Sequence, residues 1–222
     1  MNAILEKLKV AVESGKIDIK SPHPPAMRGQ EGASELTLKA IEGGILPQDI
    51  LDLSLVPAMD KVGRDFAENK IFVPQMLMAA RAMGASMTQL KPFIASGDIK
   101  TKGTFVIGTV KGDLHDSGKN LVSMMIEGSG WTVVDLGVDV SAEKFMEALT
   151  QHKNAVVGLS ALLTTTMVNM QEIVSVVKQK LPDTKVIIGG APVNMDFCKK
   201  IGADHYAADP NGAVEYLDKL VA

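Results

Sequence analysis

The chain has 222 residues, with 23 Lys plus Arg against 26 Asp plus Glu, a net charge of −3, and 46% hydrophobic against 22% charged residues. That balance excludes disorder as the main state and argues against binding a nucleic-acid backbone, which needs a concentrated basic surface. One cysteine, Cys198, allows no internal disulfide, the charged N-terminus does not read as a secretory signal, and the longest apolar run, around Ala155 to Leu163, is about half of the ~20 residues a membrane span needs, so no membrane contact and a reducing cytoplasm are expected.

Apolar residues recur at three- and four-residue spacing from Asn2 to Glu13 and from Glu31 to Ile94, the pattern of amphipathic helices. A first helix is expected over Asn2 to Ser14, capped by Asn2 and stopped by Gly15, before a proline-rich bend, Ser21-Pro-His-Pro-Pro-Ala. The surrounding stretch 19–30 suggests no role. A second helix spans Glu31 to Glu42 and ends at Gly43-Gly44; a third runs from Gln48 to Ala67, with Pro47 in its first turn and Pro57 bending it. The fourth starts at Pro74 and passes through Met76, Met78, Met83 and Met87 to Leu90. Together they predict an N-terminal four-helix bundle over residues 1–94.

Residues 95–103 read as a linker. Beyond it, short β-rich apolar runs, Thr104 to Val110, Trp131 to Leu136, Ala155 to Leu159, Lys185 to Ile188 and a weak His205 to Ala208, alternate with helical stretches. Residues 104–222 are therefore expected to form a flavodoxin-like (Rossmann-type) α/β domain, a five-stranded parallel sheet covered on both faces. The common order for five such units is 2-1-3-4-5, with the ligand crevice beyond the carboxyl ends of strands one and three. Those ends carry the polar loops, Lys111-Gly-Asp-Leu-His-Asp-Ser-Gly and Ser160-Ala-Leu-Leu-Thr-Thr-Thr, whereas the other strand ends offer Gly, Ala and Val.

The loop chemistry narrows the choice. A phosphate cradle would place small hydroxyl and glycine residues where this chain has Asp113, His115 and Asp116. A phosphoacceptor receiver domain would want an Asp where Ser160 stands. Zinc needs three or four close ligands, and here only His115 and Asp113 are near each other in sequence, so a metal held by this imidazole would need its other ligands from elsewhere, such as a macrocycle. With the acid and the imidazole two residues apart, Asp113 can take a proton from one ring nitrogen and leave the other as a metal ligand. More ordinary readings remain open: Asp113 and Asp116 as helix caps ahead of Lys119 to Glu127, Ser160 and Thr164 to Thr166 as caps of the next helix, and Gly189-Gly190 as a routine turn after a strand. His23, His152 and His205 read as loop or surface residues, Cys198 as a small buried apolar side chain, and Met76, Met83 and Met87 as a core face.

The conjunction Asp113-x-His115-x-x-Gly118, then Ser160-x-Leu162, then Gly189-Gly190 resembles the corrinoid (vitamin B12) proteins of methyltransferase systems, and is similar to the cobalamin-binding module of cobalamin-dependent methionine synthase. The helical half resembles that family's cap through Phe72-Val-Pro-Gln-Met and Lys91-Pro-Phe-Ile. The resemblance implies that His115 replaces the cofactor's dimethylbenzimidazole as lower axial ligand of cobalt, and that the displaced nucleotide tail inserts into the sheet domain. Asp113 would orient His115, and Thr166 would extend that relay, with a Thr where the family's Ser-x-Leu-x-Thr-x-Ser pattern ends in Ser. Ser160 and Thr164 would face the tail, Gly118 would let the following helix approach it, and Gly189 and Gly190 would admit its sugar and phosphate. Gly112, Asp116 and Leu162 complete the implied cofactor-binding set. In the cap, Met76 or Phe72 could shield the upper cobalt face.

The function so implied is a methyl carrier, not a complete enzyme alone. It would accept a methyl group on cobalt from a substrate-specific methyltransferase and pass it to a second methyltransferase acting on tetrahydrofolate or a thiol, with a reductive activator as a further partner and neither nucleic acid nor membrane involved. Methanol, methylamines, betaines and aryl methyl ethers all stay open as donors. The alternatives are a B12-sensing regulatory module, disfavoured by the charge and the lack of a visible DNA-binding segment, and the small subunit of an adenosylcobalamin mutase, disfavoured by the helical cap.

Overall fold

The computed structural model describes residues 2–221, so residues 1 and 222, the outer ends of the two expected domains, lie outside the described residues. Two compact units emerge, one of residues up to Thr101 with Gly128–Gly130, the other of Lys102–Glu127 with Trp131 onward.

In the first unit α1 (Ala3–Glu13) starts where the Asn2 side chain accepts the Ile4 N–H and stops at Gly15, whose φ of 70° breaks the helix. The stretch 19–30 contains one 3₁₀ turn, Pro25–Met27, and is held at its start by the fully buried Lys16, whose Nζ donates to the Ser21 carbonyl over 2.8 Å. α2 (Ala33–Glu42) begins two residues later than expected, because Glu35 reaches back to accept the Gly32 N–H over 3.0 Å and so fixes the first turn there. The expected third helix is instead three pieces in one path, α3 (Pro47–Ile50), a π-helical turn (Leu51–Leu55) and α4 (Val56–Ala67). Pro57 has no N–H to give and its ring crowds the carbonyl four residues earlier; the wider turn ahead of it takes up that conflict. α5 (Val73–Ser96) runs past Leu90 through Pro92 to Gly97, since Thr88 and Pro92 are both exposed and water can serve the carbonyl that Pro92 leaves free. Met76, Met83 and Met87 are buried with Leu8, Ile50 and Leu55 in the unit's core, as the sequence pattern suggested, while Phe72 is 62% exposed.

The second unit is an α/β sheet of five parallel strands, β1 (Thr104–Thr109), β2 (Thr132–Asp135), β3 (Val156–Ser160), β4 (Val186–Gly189) and β5 (His205–Ala207), in the expected order β2-β1-β3-β4-β5. Connecting helices are α6 (Ser117–Gly128), α7 (Ala142–Gln151), α8 (Met167–Lys180), α9 (Met195–Ile201) and α10 (Pro210–Val221). The two sheet faces differ. Val106, Val157, Val186 and Ile188 pack against Phe145 of α7, Val174 of α8 and Cys198 of α9 in one continuous core. The other face, alternating with these positions, carries Phe105 and Ile107 of β1, Gly158 and Ser160 of β3, Ile187 and Gly189 of β4, and Ala207 of β5.

Register turns that alternation into a shape. Thr109 lies beside Ser160, Ser160 beside Gly189 and Gly189 beside Ala207, so a row of small residues crosses the carboxyl edge of the sheet. Among the described residues, no helix is long and apolar enough to cross a membrane.

Candidate functional site

Where that row of small side chains fails to fill the space between sheet and helices, a cavity of about 740 Å³ opens, walled by α6 through Leu121 and Val122 and by α10 through Ala213. The crevice expected beyond β1 and β3 is present, but it extends under β4 and β5. The glycines and alanines that looked uninformative in the sequence are what make it. Gly190, with φ 125°, lies so close to the Ala161 carbonyl that a Cβ there would strike it; the close approach draws the β3 and β4 loops together at the rim.

His115 stands at the mouth of this cavity, its side chain 51% exposed, while Asp113 beside it is fully buried. The Asp113 carboxylate accepts on both oxygens. Oδ1 takes the His115 N–H at 3.1 Å and faces His115 Nδ1 at 2.7 Å; Oδ2 takes the Leu162 N–H at 2.8 Å, the Leu163 N–H at 3.3 Å and the Thr166 hydroxyl at 2.7 Å. Burial alone would raise the pKa of Asp113, but the hydrogen bonds from His115, Leu162 and Thr166 outweigh it and hold the carboxyl well below the usual carboxylate range. An ionised carboxylate can only accept, so Nδ1 is the ring nitrogen that donates to Asp113, and Nε2 is the one not engaged by it.

Neighbouring loops fix this pair. Asp113 N–H donates to Val110 and its carbonyl accepts the Asp139 N–H, Asp139 in turn accepts the Gly112 N–H at 2.7 Å, the Thr109 hydroxyl donates to the His115 carbonyl at 2.8 Å, and Asn169 of α8 donates to the Lys111 carbonyl at 2.6 Å. Gly112 has φ 82°, and a Cβ built on it would sit 3.7 Å from the Thr166 methyl. The Thr166 methyl is therefore accommodated beside Gly112, and the hydroxyl reaches Asp113.

Of the other residues singled out from the sequence, Asp116, Gly118, Ser160, Leu162, Gly189 and Gly190 line the cavity. Asp116 stands just ahead of α6, its carbonyl accepting the Asn120 N–H at 2.7 Å and its carboxylate the Asn120 side-chain amide at 3.0 Å. Asp113 instead serves His115 and the β3 loop. Thr166 precedes α8 without capping it through its side chain. Thr164 is exposed on the loop and lies outside the cavity lining. Sequence reasoning missed Thr109, Asp139, Asn169 and Lys119; the last is buried on the cavity wall, ion-paired to Asp135 and hydrogen-bonded to the Asn120 side chain at 2.7 Å. His205 opens β5, as the expected fifth strand had it, and its ring, read as loop or surface, is half-buried and stacked on Tyr216 with centroids 4.3 Å apart. Cys198 is buried, as expected.

Among the described residues no group of three or more His, Cys, Asp or Glu side chains is placed to hold a metal. A metal at Nε2 of His115 therefore needs a ligand that brings its remaining donors, which a macrocycle does.

Residues 103–215 match the B12 binding domain, and residues 29–91 match a second B12 binding domain model. The chain is 35% identical over 99% of its length to a corrinoid protein of Desulfitobacterium hafniense, of which it covers 98%. It is 39% identical over 83% of its length to a trimethylamine corrinoid protein of Methanosarcina mazei, covering 87% of that protein. Among solved structures, the methanol:cobalamin methyltransferase complex MtaBC of Methanosarcina barkeri matches 99% of the chain and 80% of its own at a TM-score of 0.83 and 30% identity. With both halves accounted for in this way, the chain belongs to the B12-binding corrinoid proteins of methyltransferase systems.

Proposed function

We propose that this protein binds its corrinoid with the nucleotide tail withdrawn into the cavity, ligates cobalt from below through Nε2 of His115, and serves as the methyl carrier between two methyltransferases. The observation that carries the reading is the buried Asp113 carboxylate 2.7 Å from His115 Nδ1, an arrangement that favours a proton on Nδ1 and leaves Nε2 as the ligating nitrogen at the cavity mouth. The residues fit the group. The cavity lies directly beside the imidazole, and Ser160, Gly189 and Gly190 leave its rim open for a sugar phosphate. When bound, a corrinoid supplies a cobalt centre able to accept and release a methyl group.

The chain's own work is then to orient and to hold a proton. Asp113, itself held by Thr166, keeps the imidazole in one orientation. In this reading residues 1–94 are the cap, 95–103 the linker and 104–222 the corrinoid-binding domain. Both methyltransferases must reach one face of the cofactor, which asks for freedom in the linker, where Gly97 has φ 85°.

The relatives named for trimethylamine and the methanol complex support a substrate-specific methyltransferase as donor partner. A second methyltransferase acting on tetrahydrofolate or a thiol, and a reductive activator, complete the proposed set, in a reducing cytoplasm. Reconstitution with cobalamin tests the ligand assignment: the wild type should hold one cobalt per chain, and His115→Ala should lose or shift its absorption spectrum. Matching spectra for the two proteins would remove His115 from the cobalt.

A further inference from the structure

Apart from Lys119 and Tyr206 on its walls, the cavity has its polar side chains gathered at one end. At its mouth stand His115, Asp116, Ser117, Ser160 and Asp209, whereas further down the strands the lining is Phe105, Ile107, Gly158 and Ile187, faced by Leu121 and Val122 of α6. Gly158 is what sets this floor. A Cβ there would strike the ring tip of Phe105 and come within 3.2 Å of Ile107, so the bare glycine lets the Phe105 ring lie across β3. Lys119 also reaches the wall, but its ammonium is already bound by Asp135 and the Asn120 side chain.

We infer that this floor selects corrinoids by the base of their nucleotide tail, accepting a benzimidazole and discriminating against a purine such as adenine. The inference rests on the proposed withdrawal of the tail into the cavity. A benzimidazole presents a carbocyclic edge that apolar walls can contact throughout. Adenine presents an exocyclic amino group and ring nitrogens that lose their water on entering a floor of Phe105, Ile107, Ile187, Leu121 and Val122, whose side chains offer them no hydrogen bond. Each polar group buried without a partner carries a cost that reads as roughly a 10- to 100-fold loss of affinity.

The test is equilibrium binding of the full chain to three probes: cobalamin, its adeninyl counterpart, and tail-less cobinamide, with absorption spectra of each complex. Cobalamin should bind about 10- to 100-fold more tightly than the adeninyl form, both with the base displaced from cobalt. Gly158→Ala, which drives the Phe105 ring into the floor, should weaken cobalamin at least tenfold and leave cobinamide unchanged. Equal affinity for the two tailed corrinoids, each with its base displaced, would overturn the selectivity and leave the His115 reading standing. Cobalamin bound with its own base still on cobalt would overturn both.

Discussion

The hydroxyl of Thr166 lies 2.7 Å from Oδ2 of Asp113, while His115 Nδ1 lies 2.7 Å from Oδ1, so one buried carboxylate ties the loop after β3 to the loop after β1. The hydroxyl is also 2.9 Å from the Leu163 carbonyl, but it has one proton, and the ionised carboxylate is the stronger acceptor. Thr166→Val keeps the shape and removes the donor. It should cost about 1.5 to 3 kcal/mol of stability, the range for a hydrogen bond to a charged group, whereas Thr166→Ser should lose far less. Denaturant melts of the two variants check this, and a loss as large in Thr166→Ser as in Thr166→Val would mean that the methyl contact at Gly112 contributes as much as the hydrogen bond.

Asp113→Asn removes the charge while keeping the size. Four donors besides Nδ1 of His115 point at this carboxylate, and an amide must turn its own N–H₂ toward one of the two groups of them. The expected result is a loss of about 3 kcal/mol together with a 10- to 100-fold weaker hold on cobalt, read from thermal unfolding of the cofactor-free chain and from cobalt retention on dialysis. A stable variant that retains cobalt normally would remove Asp113 from the orienting role.

Much of this was legible beforehand, and the exceptions have physical reasons. Strand order followed from five β-rich runs separated by helical stretches, and each strand lies within a residue or two of its expected bounds, because runs buried on both faces are continuous in sequence. The Asp113–His115 pair was legible because its partners are two residues apart. The clamps from Asp139 and Asn169 were not, since 27 and 58 residues separate them from the groups they hold and only strand order brings them together. The far wall of the cavity was missed for the opposite reason: Gly158, Ala207 and Ala213 act by what they lack.

Gly190 offers a direct test of that point. With φ 125° and the Ala161 carbonyl in the path of a Cβ, alanine there must both adopt a disfavoured backbone and push two loops apart. Gly190→Ala should cost about 3 kcal/mol or more and reduce corrinoid uptake. Gly202→Ala is the control, with φ 77° but open space around it, and should cost about 1 kcal/mol with uptake unchanged. Comparable melting curves for the two variants would show that the Ala161 contact imposes no constraint.

His205 gives the protein a pH dependence that does not involve the cofactor. Burial pushes its pKa below the ordinary histidine value, with Lys219 adding to the shift and a hydrogen bond with the Gly212 backbone opposing it. The unfolded chain takes up a proton near pH ~6.5, where folded His205 resists doing so. The unfolded state therefore binds more protons just below that pH, and stability falls as the pH falls. The contribution is complete above about pH 6.5 and is lost as the solution is acidified toward the depressed folded value. His205→Phe retains a ring against Tyr216 and removes the titration, so its melting temperature should drop less than that of the wild type between pH 7.5 and pH 5.5. Parallel curves for the two proteins over that interval would show that His205 is protonated as readily in the folded chain as in the unfolded one.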